Sequence, residues 1–392
     1  MEDTMKHIRF VLFLLLVSPH RAFAASVMLP TLQKTAQGVA LGDSASTLTG
    51  LNALGVNPAG LSIPHAEFLA DYQSMLLDTS LTILGFAQPV ASLKTTFGLS
   101  YLNMRSVNFD KRDESGQRLG SFATQDHLLS LSSARPFQME SLLANPLYLG
   151  LSIKAMQMQI DSYKTRAYAL DLGGRYTLSA MPLSLGFSVL NLGNGPKFIS
   201  ETSPLPTSLV ASAGYQISGT ILVMANLNHR MSEGRNEFSI GAQYAVGDVL
   251  AIRGKSSFLQ GGAASGAMGM QNLSAGLGLK LYRDTTLDYA FQAFDTQLQK
   301  AGQLGTHRVT LTFRLGNLAS RNRNADLEVR RAPLPYGYPD EKLARRAPQE
   351  QPTDFRDALK DTAPKGRKLM GLEKPEIPQT ENKEAVEPVT IW

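Results

Sequence analysis

An alternation with a period of two residues runs through the chain from His65 to about Gly316. In one segment Phe97, Leu99 and Tyr101 share one face, and their neighbours on the other face are small or polar. Successive side chains of a β-strand point to opposite faces, so the pattern predicts strands with one apolar and one polar face. The same pattern recurs at 168–176, 237–246 and 308–315.

The alternating segments number fourteen, and each is close to the roughly 9–11 residues of a membrane-spanning strand. A soluble sandwich alternates too, but equal lengths and a polar face rich in Gly, Ser and Thr favour a membrane barrel with a wet or tightly filled lumen. No later segment approaches about 18 consecutive apolar residues, so a membrane role would require a barrel. The strands are predicted to begin near His65, Ser80, Lys94, Phe122, Asn145, Ser162, Pro182, Pro206, Gly219, Arg235, Asp248, Met270, Asp284 and Gly305.

The connections between these strands tend to alternate in length, although two of them break the rule. Outer-membrane barrels have short periplasmic turns and longer outer loops, and an even strand count places both termini on the periplasmic side. We therefore expect a bacterial outer-membrane protein with membrane lipid around it. The long connections are predicted at Arg105–Ser121, Gly193–Leu205, Leu259–Gly269 and Thr296–Leu304.

Residues 1–24 have the features of a cleavable signal peptide, with a basic start, an apolar run of about eight residues and Ala22-Phe23-Ala24 before the cut. Residues 25–64 are rich in Ala, Ser and Gly and do not alternate, which predicts a small helical plug or, more simply, a helix and a turn before the barrel. This segment ends in a turn in which proline stops the helix and glycine permits close approach. The candidate plug residues are Gly42, Asn57, Pro58, Ala59 and Gly60.

The composition changes after the predicted barrel, residues 65–317. Residues 318–392 are charged, rich in Pro and poor in aromatic residues. Such a segment buries too little apolar surface to offset its ordering entropy, so we expect a disordered periplasmic tail. The tail is interpreted as a solvated segment or as a tether to the cell wall or a periplasmic partner.

The motifs of the barrel resemble those of the PorV/PorQ family of outer-membrane proteins, within the wider group of FadL-like barrels. Leu41-Gly42 and Asn57-Pro58-Ala59-Gly60-Leu61 are similar to the family's plug and its turn. The most characteristic run is Asn191-Leu192-Gly193, followed by Pro196-Lys197-Phe198 and Pro204-Leu205-Pro206. Ile160–Tyr163 with Ala169–Gly173, and Leu304–Arg308, also fit the family. After Leu41 the family is usually richer in glycine than this chain.

The resemblance implies an all-β, transmembrane antiparallel barrel of about fourteen strands with an N-terminal plug. One branch of the family serves type IX secretion, which implies a non-enzymatic component that binds secreted cargo proteins or surface-attachment machinery. The FadL branch implies the alternative, a channel for hydrophobic small molecules. That alternative expects an apolar pocket behind the plug and a lateral gap, for which Gly173-Gly174, Gly276 and Gly278 allow the necessary distortion.

Six residues outside the plug are further candidates. Asp171 and Arg175 share the predicted inner face of one strand and are interpreted as a charge pair in the lumen, or as a contact to the plug or to a permeating head group. The others lie in a predicted outer loop, where Asn191 is expected to shape the loop and where Lys197 and Phe198 are positioned to touch cargo or ligand. The partner-binding candidates are Asn191, Gly193, Lys197 and Phe198.

Reactive motifs are missing from the sequence. The chain has no Cys, its six His residues lack metal-ligand spacing, and it contains neither a phosphate-binding loop nor a nucleophile elbow. The sequence pI near 9.2 reflects scattered charges, many of them in the tail, which disfavours nucleic acid as a partner. We predict a protein that is not an enzyme and that needs no metal or cofactor.

Overall fold

Fourteen antiparallel strands close into a barrel in the computed structural model. The predicted fold class is therefore confirmed. All described residues belong to the larger of two compact units, Met1–Pro339. The signal-peptide segment, the tail and the unit Asp340–Trp392 lie outside the described residues, so the predictions for them stay predictions. The structure describes residues 27–76, 78–139, 143–198, 201–261, 269–282, 284–293 and 304–315.

The wall strands begin within two residues of their predicted starts, except that β4 begins at Arg118 instead of Phe122. Two short strands, β8 and β9, form a separate small hairpin. The strands are β1 Ala66–Ser74, β2 Ser80–Val90, β3 Thr95–Arg112, β4 Arg118–Phe137, β5 Leu147–Ile160, β6 Tyr163–Thr177, β7 Leu183–Asn194, β8 Lys197–Phe198, β9 Glu201–Thr202, β10 Ser208–Gln216, β11 Ile221–Arg230, β12 Arg235–Val246, β13 Leu250–Gly261, β14 Gly269–Tyr282, β15 Thr285–Ala293 and β16 Gly305–Leu315.

The barrel closes where the first strand pairs with the last, with Ala66 opposite Leu315. We call this end the terminal rim and the other end the distal rim. The prediction of a long loop at Arg105–Ser121 was wrong, because β3 and β4 continue through it as a two-stranded ribbon beyond the ends of their neighbours. The ribbon turns at Asp113, whose carboxylate accepts hydrogen bonds from Ser115 and Gln117.

The outer face of the wall is apolar, as the alternation predicts. Exposed aliphatic side chains form a band, for example Leu131 at 56% exposure and Ile153 at 53%. Aromatic residues flank this band at both rims, which is a pattern typical of membrane barrels. Phe68, Phe86, Phe97 and Phe313 lie toward the terminal rim, and Tyr72, Tyr101, Tyr168, Tyr289 and Phe291 lie toward the distal rim.

The lumen is filled by the segment from Val27 to His65, which we call the plug. Its one α-helix, α1, spans Ala36–Leu41, starts with a side-chain cap from Thr35 and ends at Gly42 in a left-handed conformation. Among the described residues no helix is long and apolar enough to cross a membrane. The 3-10 helices are Leu29–Leu32, Gly50–Ala53 and Pro58–Leu61 in the plug, and Ala91–Leu93 between β2 and β3.

Candidate functional site

The plug is seated on glycines of the inner wall. A Cβ atom at Gly173 would collide with the side chain of Asn57, and one at Gly150 would collide with the backbone of Pro58 and Ala59. Six further wall glycines also lie in close contact with the plug. Glycine at these wall positions therefore lets the backbone or side chains of the plug come into close contact with the wall. The eight glycines are Gly85, Gly98, Gly150, Gly173, Gly186, Gly214, Gly241 and Gly276.

The turn at Asn57 locks the plug to the wall. Asn57 is fully buried, and its amide donates to the carbonyl of Ala45 at 2.7 Å and to that of Gly174 at 3.0 Å. Its Oδ1 accepts from the backbone of Ala59 at 3.0 Å and so caps the helix Pro58–Leu61. Gly60 lies against Leu48 and has no room for a Cβ.

A second attachment, the polar clamp, consists of Arg308, Thr310, Asp71 and Gln73 at the seam between β1 and β16. Arg308 donates to the plug carbonyls of Lys34 at 2.8 Å and Leu32 at 3.4 Å, and it pairs with Asp71 at 3.4 Å. Thr310 accepts from the backbone of Ala36 at 2.8 Å and donates to Asp71 at 2.5 Å. The clamp thus holds the start of α1 through directional bonds to buried groups.

An apolar cluster fills the part of the lumen next to this seam, between the plug and strands β2–β5. We call its wall part the apolar basin. Leu29 of the plug and Leu205 of the chain before β10 occupy it, and each is about 2–3% exposed. Two methionines contribute flexible, polarisable side chains to this surface. The basin residues are Leu81, Ile83, Leu102, Leu128, Met156 and Met158.

Asp171 and Arg175 both lie on the inner face, but they do not pair with each other. Asp171 binds the ammonium of Lys154 at 2.6 Å, and both side chains are 1% exposed. Arg175 instead lies over the ring of Tyr148, 4.8 Å from its centroid. The interpretation of Asp171 and Arg175 as one ion pair is therefore corrected to two separate contacts.

Asn191 lies in the wall and not in an outer loop. It interrupts β7 with a positive φ of 58°, and the register between β6 and β7 shifts beside it. Its backbone N–H donates to Asp171 at 2.7 Å and its side chain accepts from Lys154 at 2.9 Å. Asp171, Lys154 and Asn191 thus form a closed triangle, the bulge triad, which replaces the missing strand contacts with charge-assisted bonds.

The other predicted loop residues have different positions. Gly193 belongs to β7 and pairs with Ala169, where a Cβ would meet the backbone of Tyr168. Phe198, on the small hairpin, packs inward against the apolar cluster around Leu29. Asn191 is buried, whereas Gly193, Lys197 and Phe198 are exposed or half-buried. Lys197 is the exposed cation of the hairpin.

A small polar cavity of about 30 Å³ lies between the plug and strands β10–β12. A water molecule needs roughly 10–15 Å³ of such space, whereas a cavity of about 150 Å³ accepts benzene. The cavity therefore has room for about two waters and not for an aromatic ring. Its lining includes the ion pair of Lys34 and Asp43, separated by 2.5 Å, together with Asn226, Arg230 and Glu237.

Sequence reasoning missed Lys154 and the polar clamp. Lys154, Asp71 and Arg308 stand at inward positions of alternating strands, so a charge at an inward position was the available signal for these three. The sequence does not show which strands those charges meet across. No group of three or more His, Asp or Glu side chains suited to a metal occurs in the described part of the chain.

The fold is a closed fourteen-stranded barrel with an internal plug, and solved structures of a transporter and of a channel are similar to this chain in fold. The P. putida toluene transporter TodX matches with 13% identity and a TM-score of 0.51, covering 73% of this chain and 100% of that one. The monoaromatic hydrocarbon channel CymD matches with 12% identity and a TM-score of 0.51, covering 72% and 97%. No protein-family model and no curated protein matches the sequence.

At identities of 12–13% these likenesses show the fold alone, a closed β-barrel. The expected membership of the FadL-like group stays a prediction, and the narrower PorV/PorQ assignment is not confirmed. At such low identity the comparison assigns no ligand. The function therefore has to be inferred from the chemistry of the interior.

Proposed function

We propose that the protein is an outer-membrane channel that passes hydrophobic small molecules. The observation that carries this proposal is the apolar basin, a buried apolar surface inside a lumen that also carries many buried polar side chains. A surface of this kind binds apolar solutes because their transfer from water is favourable. Similar barrels are described as a toluene transporter and as a monoaromatic hydrocarbon channel, which supports the same ligand class here. No catalytic role is part of the proposal.

The basin is occupied in this structure, so passage requires a local movement of the plug. Leu29 fills the basin, and the segment around it is fastened by few bonds. Val27 donates to Pro204 at 3.2 Å, and Leu32 accepts a long bond of 3.4 Å from Arg308. Displacement of Val27–Leu32 would leave an apolar site for a ligand while the rest of the plug stays seated.

The wall next to the bulge triad offers an exit to the membrane. Strand β10 begins at Ser208, opposite Leu190, so Asn191–Asn194 of β7 have no strand partner on that side among the described residues. Among the described residues, side-chain bonds bridge this place, from Asn191 to the carbonyl of Pro206 at 3.3 Å and from Thr207 to the carbonyl of Asn191 at 3.0 Å. The lateral gap is thus proposed here and not at Gly173, which seats the plug.

The secretion function is supported less well by the same residues. Its characteristic run contributes Asn191, Leu205 and Phe198 to the interior, where a cargo protein would not reach them. Within that run the side chain of Lys197 is exposed. Binding of secreted cargo therefore has no specific observation in its favour in the described part of the chain.

Uptake of a monoaromatic hydrocarbon by intact Gram-negative cells tests the channel. The wild-type protein is expected to raise the initial rate of toluene uptake above that of cells without it, with no change for glucose. Deletion of Asn191 removes the extra residue of the bulge, so β7 regains a regular register and toluene uptake should fall to background. The matched variant Asn191→Gly keeps the extra residue and tolerates the positive φ, so it should retain most of the uptake.

Two outcomes would contradict the proposal. A wild-type rate equal to background rejects the channel, and equal rates for the deletion and for Asn191→Gly reject the lateral gap. Folding of each variant is checked by the heat-dependent mobility shift of the barrel on a gel. A hydrophilic solute that enters at the same rate as toluene would indicate a general pore.

The location and orientation are also proposals: an outer-membrane barrel with both termini in the periplasm. Because the chain has no Cys, Ser115→Cys on the ribbon turn and Ser92→Cys on the terminal rim give clean labelling sites. A membrane-impermeant maleimide added to intact cells should label Ser115→Cys only. Labelling of Ser92→Cys instead would reverse the orientation.

A further inference from the structure

Two polar rows cross the outer face of β3–β6 on the side of the distal rim. Directly paired residues form each row, and their buried neighbours point into the lumen, so these side chains face outward. The first row consists of Asn103, His127, Gln157 and Arg166. The second row, two residues further along each strand, consists of Arg105, Gln125, Gln159 and Lys164.

These rows, the basic rows, carry three cations and no carboxylate. Arg105, Arg166 and Lys164 are exposed and form no ion pair within the described residues. The nearest outward acid, Asp161 in the turn after β5, is already paired with Lys111 at 2.7 Å. An uncompensated group of cations on the side of a membrane barrel attracts an anionic ligand.

The position of the rows relative to the membrane identifies the kind of ligand. Immediately below them a row contains Tyr101 and Tyr168, which belong to the distal aromatic residues, and below that a row is wholly aliphatic. The cations therefore lie at the level of lipid head groups, with a surface for acyl chains directly beneath them. The aliphatic row consists of Leu99, Leu131, Ile153 and Leu170.

His127 and the amides add neutral hydrogen-bonding groups between the cations. The ring nitrogen Nδ1 of His127 is bonded by Tyr101 at 2.6 Å and by Asn103 at 3.1 Å, which leaves Nε2 for an external partner. Gln125 and Gln157 present further amides on the same surface. Amides next to cations match a ligand that carries hydroxyl groups beside phosphate.

We propose that the basic rows bind the head group of a phosphorylated glycolipid in the leaflet at the distal rim. Arg105, Arg166 and Lys164 contact phosphate, and the intervening amides contact sugar hydroxyls. The acyl chains lie on the aliphatic row. This inference rests on the proposed outer-membrane location, but it does not depend on which molecule passes through the lumen.

Lipid binding to the purified barrel in nanodiscs tests the proposal, with native mass spectrometry to count bound lipid. The probes are a bis-phosphorylated lipid A, its dephosphorylated form and phosphatidylglycerol. Loss of one charge-assisted hydrogen bond corresponds to roughly tenfold in affinity. The pair Arg105→Gln/Arg166→Gln is therefore expected to weaken binding of the phosphorylated lipid A by about tenfold or more.

The matched control removes two cations at the terminal-rim ends of β3 and β4, as Lys94→Gln/Arg135→Gln. It should leave the binding unchanged, because these residues lie at the terminal rim. Equal weakening by both pairs would overturn the proposal, as would equal affinity for the dephosphorylated lipid A. Equal binding of phosphatidylglycerol would show a surface for anionic lipids in general and would overturn the glycolipid assignment. The single variant Arg166→Gln serves if the pair does not fold, and toluene uptake tests the channel separately.

Discussion

The plug is held in two different ways on two sides of the lumen. At the seam of β1 and β16 the polar clamp fixes it through bonds from Arg308 and Thr310 to backbone groups of the plug. At β2–β5 the apolar basin holds it through the packing of Leu29 against aliphatic and methionine side chains. The hydrogen bonds of the polar clamp are directional, whereas the apolar contacts of the basin are not.

This difference indicates which part of the plug can move. A hydrogen bond to a buried charged group is lost steeply with distance and angle, so the clamp defines one position for the start of α1. Apolar contacts are non-directional, and methionine repacks easily, so the basin can exchange Leu29 for another apolar group. Leu32 joins both sides, because its carbonyl reaches Arg308 while its side chain packs on the basin cluster.

Breaking the polar clamp should cause the largest loss of stability. Arg308→Met removes the buried guanidinium, which is 3% exposed, and leaves Asp71 as a buried charge without its partner. Removal of one partner of a buried ion pair costs about 3–5 kcal/mol. We expect a loss of that size in the free energy of unfolding, measured by guanidinium titration of the barrel in lipid with circular dichroism as the signal.

A double variant provides the control for this prediction. Arg308→Met/Asp71→Asn removes both charges, so most of the lost stability should return, because the large cost comes from the unpaired charge. If the double variant is as unstable as Arg308→Met, the clamp acts through its bonds to the plug and not through the ion pair. If Arg308→Met is as stable as the wild-type protein, the clamp does not hold the plug.

The sequence predicts the wall well because strand alternation is a local property. Phe97, Leu99 and Tyr101 face outward as expected, and all fourteen strands were found with their approximate starts. An inward face crowded with Gly, Ser and Thr also indicated a lumen that is either wet or tightly filled, and the structure shows a lumen filled by the plug. These predictions need no knowledge of which strand pairs with which.

The charge partners could not be predicted, because they depend on register across strands. Asp171 and Arg175 lie four residues apart in one strand, a separation of roughly 13 Å, which is too far for an ion pair. The partner of Asp171 is Lys154 on the neighbouring strand, reached through the pairing of Ser152 with Asp171. Asn191 was assigned to a loop for a similar reason, since a bulge breaks the alternation that identifies a strand.

Truncating Leu29, which fills the apolar basin, should cause an intermediate loss of stability. Leu29→Ala leaves a cavity in the apolar cluster, and a buried Leu→Ala change costs at least about 2 kcal/mol. Because the surrounding side chains should fill this cavity only partly, space for an apolar ligand remains. The variant is therefore expected to bind an apolar fluorescent probe more tightly than the wild-type protein. Leu48→Ala is the matched change, because Leu48 is equally buried in the plug but belongs to a different cluster, with Leu41 and Val56. Equal probe binding by the two variants would show that the basin is not the ligand site.

Stiffening the side chains of the apolar basin should have the smallest effect on stability, but it should reduce the range of ligands that bind. Met156→Leu/Met158→Leu replaces two adaptable side chains with stiffer ones of similar volume, and such swaps cost less than about 1.5 kcal/mol each. Unfolding should therefore change little, while the range of apolar probes that bind should narrow, since leucine repacks less readily around different shapes. The comparison is a panel of aromatic and alkyl probes measured on both proteins. If both proteins bind the same probes, ligands are selected by the position of the plug and not by the two methionines. The polar clamp, which fixes the plug, would then matter more for ligand selection than the apolar basin.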